Sequence, residues 1–409
     1  MINIIIPNEV ETALSILNKN GFEAYIVGGC VRDSLLGNVP NDWDITTSAK
    51  PDEISSCFNG FRTINTGLRH GTVTVIINKR SIEITTYRID GKYSDNRRPD
   101  NVCFTDNVAY DLRRRDFTIN SLAYNKKGII DLFGGIDDIR NKVIKCVGEP
   151  DERFNEDGLR ILRALRFASV LNFKIDSKTS ESIHKNKGLL NNISKERITV
   201  EFNKLLNGVD FMDVLRQYKD VIDIIIPEIA NCNNEDWEVA LNSMNKTEDL
   251  ILRLSILLHK TNAEKVLKNL KYNGETIKNV SILVSFKDEE ILPNKIRIKK
   301  QLSLMEYETF KNLIKFKKAL YKSLNKFNQQ LIDIEKSEMI LNDIVMHNEC
   351  YNLKMLEING KDLKEEGFSK GVLIGSILND ILNLVIEEKI ENKKQILIDY
   401  ARKYKNIWF

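Results

Sequence analysis

Apolar positions alternate with polar ones in the first third of the chain and recur at three- and four-residue spacing in the rest. The alternating runs Glu23–Val27, Asp42–Thr47, Thr72–Ile77 and Ile82–Arg88 predict strands, the last two joined as a hairpin through Asn78–Ser81. Asn101–Thr105 and Ile129–Leu132 are shorter candidates, and short helices fit at Asn8–Lys19 and Val31–Leu36. From Asp151 onward the spacing is helical almost throughout, over Asp151–Leu171, Ser180–Asn186, Ser194–Leu206, Thr247–Leu258 and Glu306–Leu331. No segment repeats at a fixed period. The pattern predicts an α+β chain: an N-terminal head with a small mixed sheet, then an elongated all-α remainder.

Composition narrows the class further. With 61 Lys+Arg against 58 Asp+Glu, 42% hydrophobic and 29% charged residues, the chain is too apolar to be disordered and too charged for a membrane protein. A net charge of +3 on 409 residues means that any nucleic-acid contact must come from local clusters. The six cysteines are scattered with none at CxxC spacing, and there are four histidines; no zinc site is expected, and the thiols fit a reducing, cytoplasmic setting. The opening MINIIIPNEV has no basic n-region and no 18-residue uncharged stretch follows, so neither a signal peptide nor a membrane partner is expected. No P-loop signature occurs.

Candidate chemistry concentrates in YIVGGCVRDSLLGNVPNDWDITT, residues 25–47. A strand ending at Val27, a Gly28-Gly29 turn and a helix beginning near Val31 form an anion site. Glycine admits a phosphate close to the backbone, helix N–H groups favour negative charge, and Arg32 adds a cation. Asp42 and Asp44, two apart on a strand, project to one face. Carboxylates that close repel unless a cation lies between them, and Mg²⁺ prefers such oxygen ligands. A pair of ions there would activate an attacking hydroxyl and stabilise leaving pyrophosphate. Glu83 points away from its apolar neighbours Ile82 and Ile84, where it could supply a third carboxylate.

Two later clusters extend the pattern. Arg113–Asn120 (RRRDFTIN) can hold a triphosphate by charge and a ribose by Asp and Asn hydrogen bonds. In RFNEDGLRILRALRF, residues 153–167, one continuous helix would put Asp157 and Arg160 on one face. A carboxylate accepting from an exocyclic amino group beside a guanidinium donating to a ring nitrogen matches cytosine and adenine. Uracil and guanine present the reverse order. One such pair selects CTP and ATP without a nucleic-acid template; the bland alternative is a surface ion pair of little worth.

GGCVRDSLLG followed by DWDIT, with RRDFTIN and EDGLR downstream, resembles the class II tRNA nucleotidyltransferases (CCA-adding enzymes) and the related bacterial poly(A) polymerases, within the polymerase-β-type superfamily. The resemblance implies Mg²⁺ on Asp42 and Asp44, with Glu83 as the third catalytic carboxylate. It implies nucleotide contacts from Gly28, Gly29, Arg32, Arg114, Arg115, Arg163 and Arg166, ribose recognition by Asp116 and site shaping by Asn120. Base templating falls to Glu156, Asp157 and Arg160. Ser121 stands where alanine is commoner in the family. Lys195–Leu206 matches a supporting motif, giving Glu196 and Arg197 structural roles. The implied division is a nucleotidyltransferase head (1–145), a templating neck (146–208), a body (209–300) and a tRNA-binding tail (301–409).

Tyr87–Phe104, rich in Gly, Asp, Asn and Pro, matches the loop that complete CCA-adding enzymes use to switch from C to A addition. Residues 371–409 hold six Lys/Arg against five Asp/Glu, not the basic tail of polyadenylating relatives. No His-Asp dipeptide marks a phosphohydrolase domain. The expectation is CCA addition to tRNA from CTP and ATP. The alternatives left open are an A-adding enzyme or poly(A) polymerase and, from another class, a non-catalytic RNA-binding protein on this scaffold. Residues 291–330 carry ten Lys/Arg against Glu306 and Glu308. With Leu313, Phe316, Leu320, Leu324 and Phe327 as a buried stripe, Lys315, Lys317, Lys318 and Lys322 are expected to face outward as a phosphate track for the tRNA acceptor and TΨC arms.

Overall fold

The structure is a computed structural model that describes residues 4–65, 67–68, 71–91, 102–324 and 328–408. The chain divides into two units, Met1–Ala230 and Asn231–Phe409. In the first, β1 (Ala24–Val27), β2 (Asp44–Thr47), β3 (Arg62–Ile64), β4 (Thr72–Ile77) and β5 (Arg80–Thr86) precede a separate ribbon of β6 (Arg88–Asp90) and β7 (Val102–Phe104). With β8 (Leu122–Asn125) and β9 (Gly128–Asp131), the main strands form a seven-stranded sheet in the order β3-β4-β5-β2-β1-β8-β9. All neighbours are antiparallel except β2 and β5, which run parallel with Asp44 opposite Glu83. Val73, Val75, Ile77, Ile82 and Ile84 alternate into the core. The hairpin turn is the two residues Asn78 and Lys79, at φ 48° and 69°, the left-handed pair that matches strand twist. The expected loop over Tyr87–Phe104 is flanked by the paired β6 and β7, and its residues 92–101 lie outside the described residues.

The helices of this unit are α1 (Asn8–Lys19), α2 (Gly29–Leu35), α3 (Pro51–Cys57), α4 (Val108–Arg113), α5 (Gly135–Arg140), α6 (Pro150–Glu156), α7 (Leu159–Leu171), α8 (Ser177–Asn186), α9 (Lys195–Leu206), α10 (Phe211–Gln217) and α11 (Lys219–Ile225). The single helix expected over Asp151–Leu171 is therefore broken. Asp157 ends α6 at φ −140° and ψ 104°, and its Oδ1 accepts the Leu159 N–H at 3.1 Å, a local cap that competes with helix continuation. Gly158 packs closely there: a Cβ would stand 3.0 Å from Leu189 Cβ.

The first unit also runs past the expected start of the body at 209. Asp210 N–H donates to Ser169 O at 3.0 Å, and Ser169 Oγ donates to Leu205 O at 2.7 Å. Gly208 approaches so near that a Cβ would lie 2.0 Å from Ser169 Oγ. These contacts bind the segment leading into α10 to α7 and α9.

The second unit is helical: α12 (Asn234–Met244), α13 (Leu250–Leu257), α14 (Ala263–Asn269), α15 (Gly274–Ser285), α16 (Lys295–Leu304), α17 (Tyr307–Leu324), α18 (Asn328–Met346), α19 (Gly360–Glu365), α20 (Gly371–Ile386) and α21 (Lys394–Trp408). Phe310, Leu313, Ile314, Phe316, Ala319 and Leu320 bury one side of α17. Residues 325–327, including Phe327 of the expected stripe, lie outside the described residues. Among the described residues, no helix is long and apolar enough to cross a membrane.

Candidate functional site

Strand β1 delivers the chain to Gly28, which takes φ 79° and precedes the first turn of α2. Side chains avoid that conformation, so the backbone requires glycine here, and a Cβ would also stand 3.0 Å from Arg115 Nη1, which would have to give. Arg32, one turn into α2, is buried. It donates from Nη1 to Asn120 Oδ1 at 2.6 Å and from Nε to Asp33 Oδ1 at 2.8 Å. The glycine turn, Arg32 and Asn120 are thus held together as a unit.

Trp43 is buried while Asp42 and Asp44 on either side are exposed, so both carboxylates leave the sheet on the face opposite the core. Glu83 alternates the same way between buried Ile82 and Ile84, beside Asp44. Asp44 opens onto a cavity, yet enough protein surrounds it to strip water from the carboxylate. That desolvation first, then the charge of Glu83, pushes its pKa up to about 6; Arg115 opposes the rise and Asp42 adds to it. The surplus of negative charge on an all-oxygen donor set suits a hard divalent cation. Among the described residues, the one group of potential ligands within 4.8 Å of one another is Asp343, His347 and Glu349 in the second unit. The ligand atoms of Asp42, Asp44 and Glu83 do not all lie within that distance.

The RRRDFTIN segment is organised by a residue the sequence reading missed. Asp111, fully buried on α4, accepts from Arg114 Nη2 at 2.7 Å, Arg115 Nη2 at 3.2 Å and Thr46 Oγ1 at 3.2 Å. Burial alone would raise its pKa, but Arg114 and then Arg115 hold it below the usual carboxylate range. Only the helical offsets, three and four residues before the two arginines, signalled it. Arg115 lines the cavity; Arg114 does not, its guanidinium turned to Asp111 and Asp90.

The cavity, of about 610 Å³, runs from Gly28, Gly29, Arg32 and Asp44 past Arg115, Asp116 and Asn120 to Arg163, Arg166 and Phe167 of α7. Burial would raise Asp116, yet Arg163, Asn120 and Arg160 hold it far below the usual range. Arg163 donates to Asp116 Oδ2 at 2.8 Å from Nε, and Nη2 lies 2.6 Å from the same oxygen. Glu201 of α9, also unforeseen, pairs Arg166 at 3.1 Å and Arg163 at 3.7 Å. Val170, Leu171, Lys204 and Asn207 close the far end.

Asp157 and Arg160 do not meet as one helix face would have them meet. Asp157 Oδ2 accepts from Arg197 Nη2 at 2.7 Å. Arg160 donates to Glu156 Oε2 at 2.6 Å, Arg153 O at 3.2 Å and Arg114 O at 3.1 Å. Neither residue lines the cavity. The helix break at Asp157 separates their side chains, and one carboxylate and two carbonyls take three of the five Arg160 guanidinium N–H groups. Arg197, which donates to Asp157, belongs to α9.

In the second unit the lysine track is partly internal. Lys317 is buried on α17, its Nζ donating to Lys287 O at 2.7 Å and to Glu289 O, and burial pushes its pKa down to about 8. Lys318 pairs with Glu338. Lys299 is buried against Glu349 at 2.5 Å, and Lys300 pairs with Glu387 at 2.5 Å. Lys315 and Lys322 remain exposed, seven apart on one side of the helix.

Three family models match the chain: "Poly A polymerase head domain" over residues 24–145, "Probable RNA and SrmB- binding site of polymerase A" over 172–232, and tRNA nucleotidyltransferase domain 2 over 242–401. Among curated proteins, the CCA-adding enzyme of Enterococcus faecalis is 36% identical with 98% of each chain covered. That of Ligilactobacillus salivarius is 38% identical with 97% of each covered. The crystal structure of Bacillus stearothermophilus CCA-adding enzyme in complex with CTP superposes with a TM-score of 0.80 at 28% identity, covering 98% of this chain and 100% of that one.

Proposed function

The chain belongs to the family of CCA-adding enzymes, and from that premise we propose how its residues divide the reaction. The activity is template-independent: the tRNA 3′-hydroxyl attacks the α-phosphate of CTP or ATP and pyrophosphate leaves. The observation that carries the assignment of the centre is Asp44, a carboxylate with its pKa raised to about 6 beside Glu83 and Asp42, at one end of a cavity walled by Arg32, Arg115, Arg163 and Arg166.

Asp42 and Asp44 are the ligands for Mg²⁺, with Glu83 as the neighbouring third carboxylate. When bound, the ion supplies activation of the attacking hydroxyl and charge neutralisation at the triphosphate. The Gly28–Gly29 backbone admits the phosphates, and Arg32, Arg115, Arg163 and Arg166 bind them by charge. Asp116 orients Arg163, accepts from Asn120 and the Phe117 N–H, and lines the cavity where a ribose hydroxyl would have to share those oxygens; Asn120 fixes Arg32. Arg114 acts from behind, through Asp111.

Glu156, Asp157 and Arg160 read the base. Asp157 accepts one N–H on each oxygen and so keeps lone pairs for an exocyclic amino group, and the Arg160 guanidinium has five donors, of which three bonds use part. Arg160→Ala is expected to lower discrimination of CTP and ATP against UTP and GTP by about 10²-fold, while overall activity falls less. Incorporation of each labelled nucleotide on tRNA measures this; unchanged discrimination would remove Arg160 from base reading.

Lys315 and Lys322 are the exposed part of the tRNA phosphate track. Reversing both to glutamate is expected to raise the KM for tRNA about tenfold at low salt, with the gap to wild type narrowing as salt rises and nucleotide KM unchanged. Lys317→Ala instead should cost about 2 kcal/mol of stability in denaturant unfolding, because two backbone carbonyls lose their donor and the buried lysine stem leaves a void. A tRNA KM that responds to Lys317 without any loss of stability would reverse this assignment.

A further inference from the structure

Arg32, Arg163 and Arg166 converge on one aromatic ring. Their Cζ atoms stand over Phe167 at 5.1, 5.4 and 4.0 Å from its centroid. Arg32 comes from α2 and the other two from α7, so no single element holds the three together. Like charges this close repel. Each guanidinium has a carboxylate on its own side: Asp33 for Arg32 at 2.8 Å, Asp116 for Arg163 at 2.6 Å and Glu201 for Arg166 at 3.1 Å. Glu201 also reaches Arg163 at 3.7 Å, so it links the two α7 cations, while Arg32 is anchored apart from them. The one group that all three share is the ring, whose negative face attracts guanidinium and whose flat shape lets it stack.

The ring is itself held. Phe167 packs edge-on against fully buried Phe117, with centroids 5.7 Å apart at 80°. Phe117 lies in the RRRDFTIN segment, which ties the ring to the part of the chain bearing Arg115, Asp116 and Asn120. Phe167 also lines the cavity. A leucine of similar bulk could fill its space but would offer no negative face to three cations.

We propose that Phe167 is a positioning residue of the nucleotide site, its ring gathering Arg32, Arg163 and Arg166 into the arrangement that grips the polyphosphate of CTP and ATP. This rests on the reading above, in which those arginines bind phosphates. The role is shared by both nucleotides, because it acts on the phosphates and not on the base. It is also distinct from core packing, which is indifferent to the charge distribution of the ring.

The test is Phe167→Leu in the full chain, together with difluoro- and pentafluorophenylalanine incorporated at the same position, which keep the ring's shape while weakening and then reversing its quadrupole. Phe167→Leu is expected to raise the KM for CTP and for ATP about tenfold with kcat within about threefold, and Phe167→Tyr to restore it. Fluorination should raise KM in graded steps at constant thermal stability. Calorimetric affinity should fall for CTP and stay unchanged for CMP. A nucleotide KM indifferent to fluorination would overturn the proposal, and this arm remains readable if the leucine variant does not fold. Calorimetry separates the two levels: a wild-type chain that binds CTP through Phe167 but transfers nothing to tRNA would sink the functional reading, whereas an active wild type with indifferent fluorinated variants would sink this inference alone.

Discussion

Asp44→Asn is expected to lower kcat for CMP and AMP transfer by about 10³-fold or more while tRNA affinity holds within about twofold, because a carboxylate at the reacting centre is lost and no binding surface is. Asp42→Ala should behave alike. Single-turnover transfer from labelled CTP, alongside filter binding of tRNA, measures both. The same substitution has a second effect of opposite sign. The folded carboxyl of Asp44 titrates at about 6, above the roughly 3.9 of an unfolded chain. The native state therefore holds the extra proton, and stability falls as pH rises through that window. In divalent-free buffer at pH 7.5, Asp44→Asn should raise Tm; below about pH 4 the two proteins should converge. Added divalent cation should stabilise the wild type and leave the variant unmoved. A wild-type Tm indifferent to divalent ions would contradict the ligand role of this carboxylate.

Asp111→Ala has the largest expected cost to the fold. It leaves Arg114 and Arg115 without the fully buried carboxylate that both address, and Thr46 without its acceptor. Breaking a buried ion pair from one side costs about 3–5 kcal/mol, to be read as a shift in the urea midpoint at pH 7. The folded pKa of Asp111 is lowered, so its stabilisation is present above the unfolded carboxyl value and is lost as pH falls through the folded one. The gap between wild type and variant should therefore narrow in acid. Arg115, released from its anchor, should also raise the KM for nucleotide. A variant as stable as the wild type at neutral pH would mean that the two arginines find other partners.

What could be read from the sequence followed local periodicity. Strands β4 and β5 alternate strictly, so their hairpin and the outward face of Glu83 were legible. Gly28-Gly29 was legible because a turn between strand and helix needs glycine. Asp42 and Asp44 were legible as a pair because Trp43 between them belongs to the core. The helix break at Asp157 was hidden: the flanking residues on both sides carry apolar positions at helical spacing, and the signals for interruption, one aspartate and one glycine, are weak singly. Lys317 carried its own signal, four residues after Leu313 and three before Leu320, which places it on the buried side of α17; a lysine count overrode that position. Asp111 was equally exposed to discovery by its offsets. Glu201 and Phe167 were not, since what they do depends on side chains brought from elsewhere in the chain. Local spacing reports which face a residue occupies, and only the folded unit reports what stands opposite.

The central proposition is that protein side chains, not a nucleic acid, choose cytidylate and adenylate at a centre built on Asp42 and Asp44. The most direct measurement offers three tRNAs, ending at the discriminator base, one C beyond it and two C beyond it, to the full chain with each labelled nucleoside triphosphate in turn, and sequences the products. The expected result is C, then C, then a single A, with release of pyrophosphate and negligible U or G. Untemplated runs of A, indiscriminate use of all four nucleotides, or no transfer at all would contradict it.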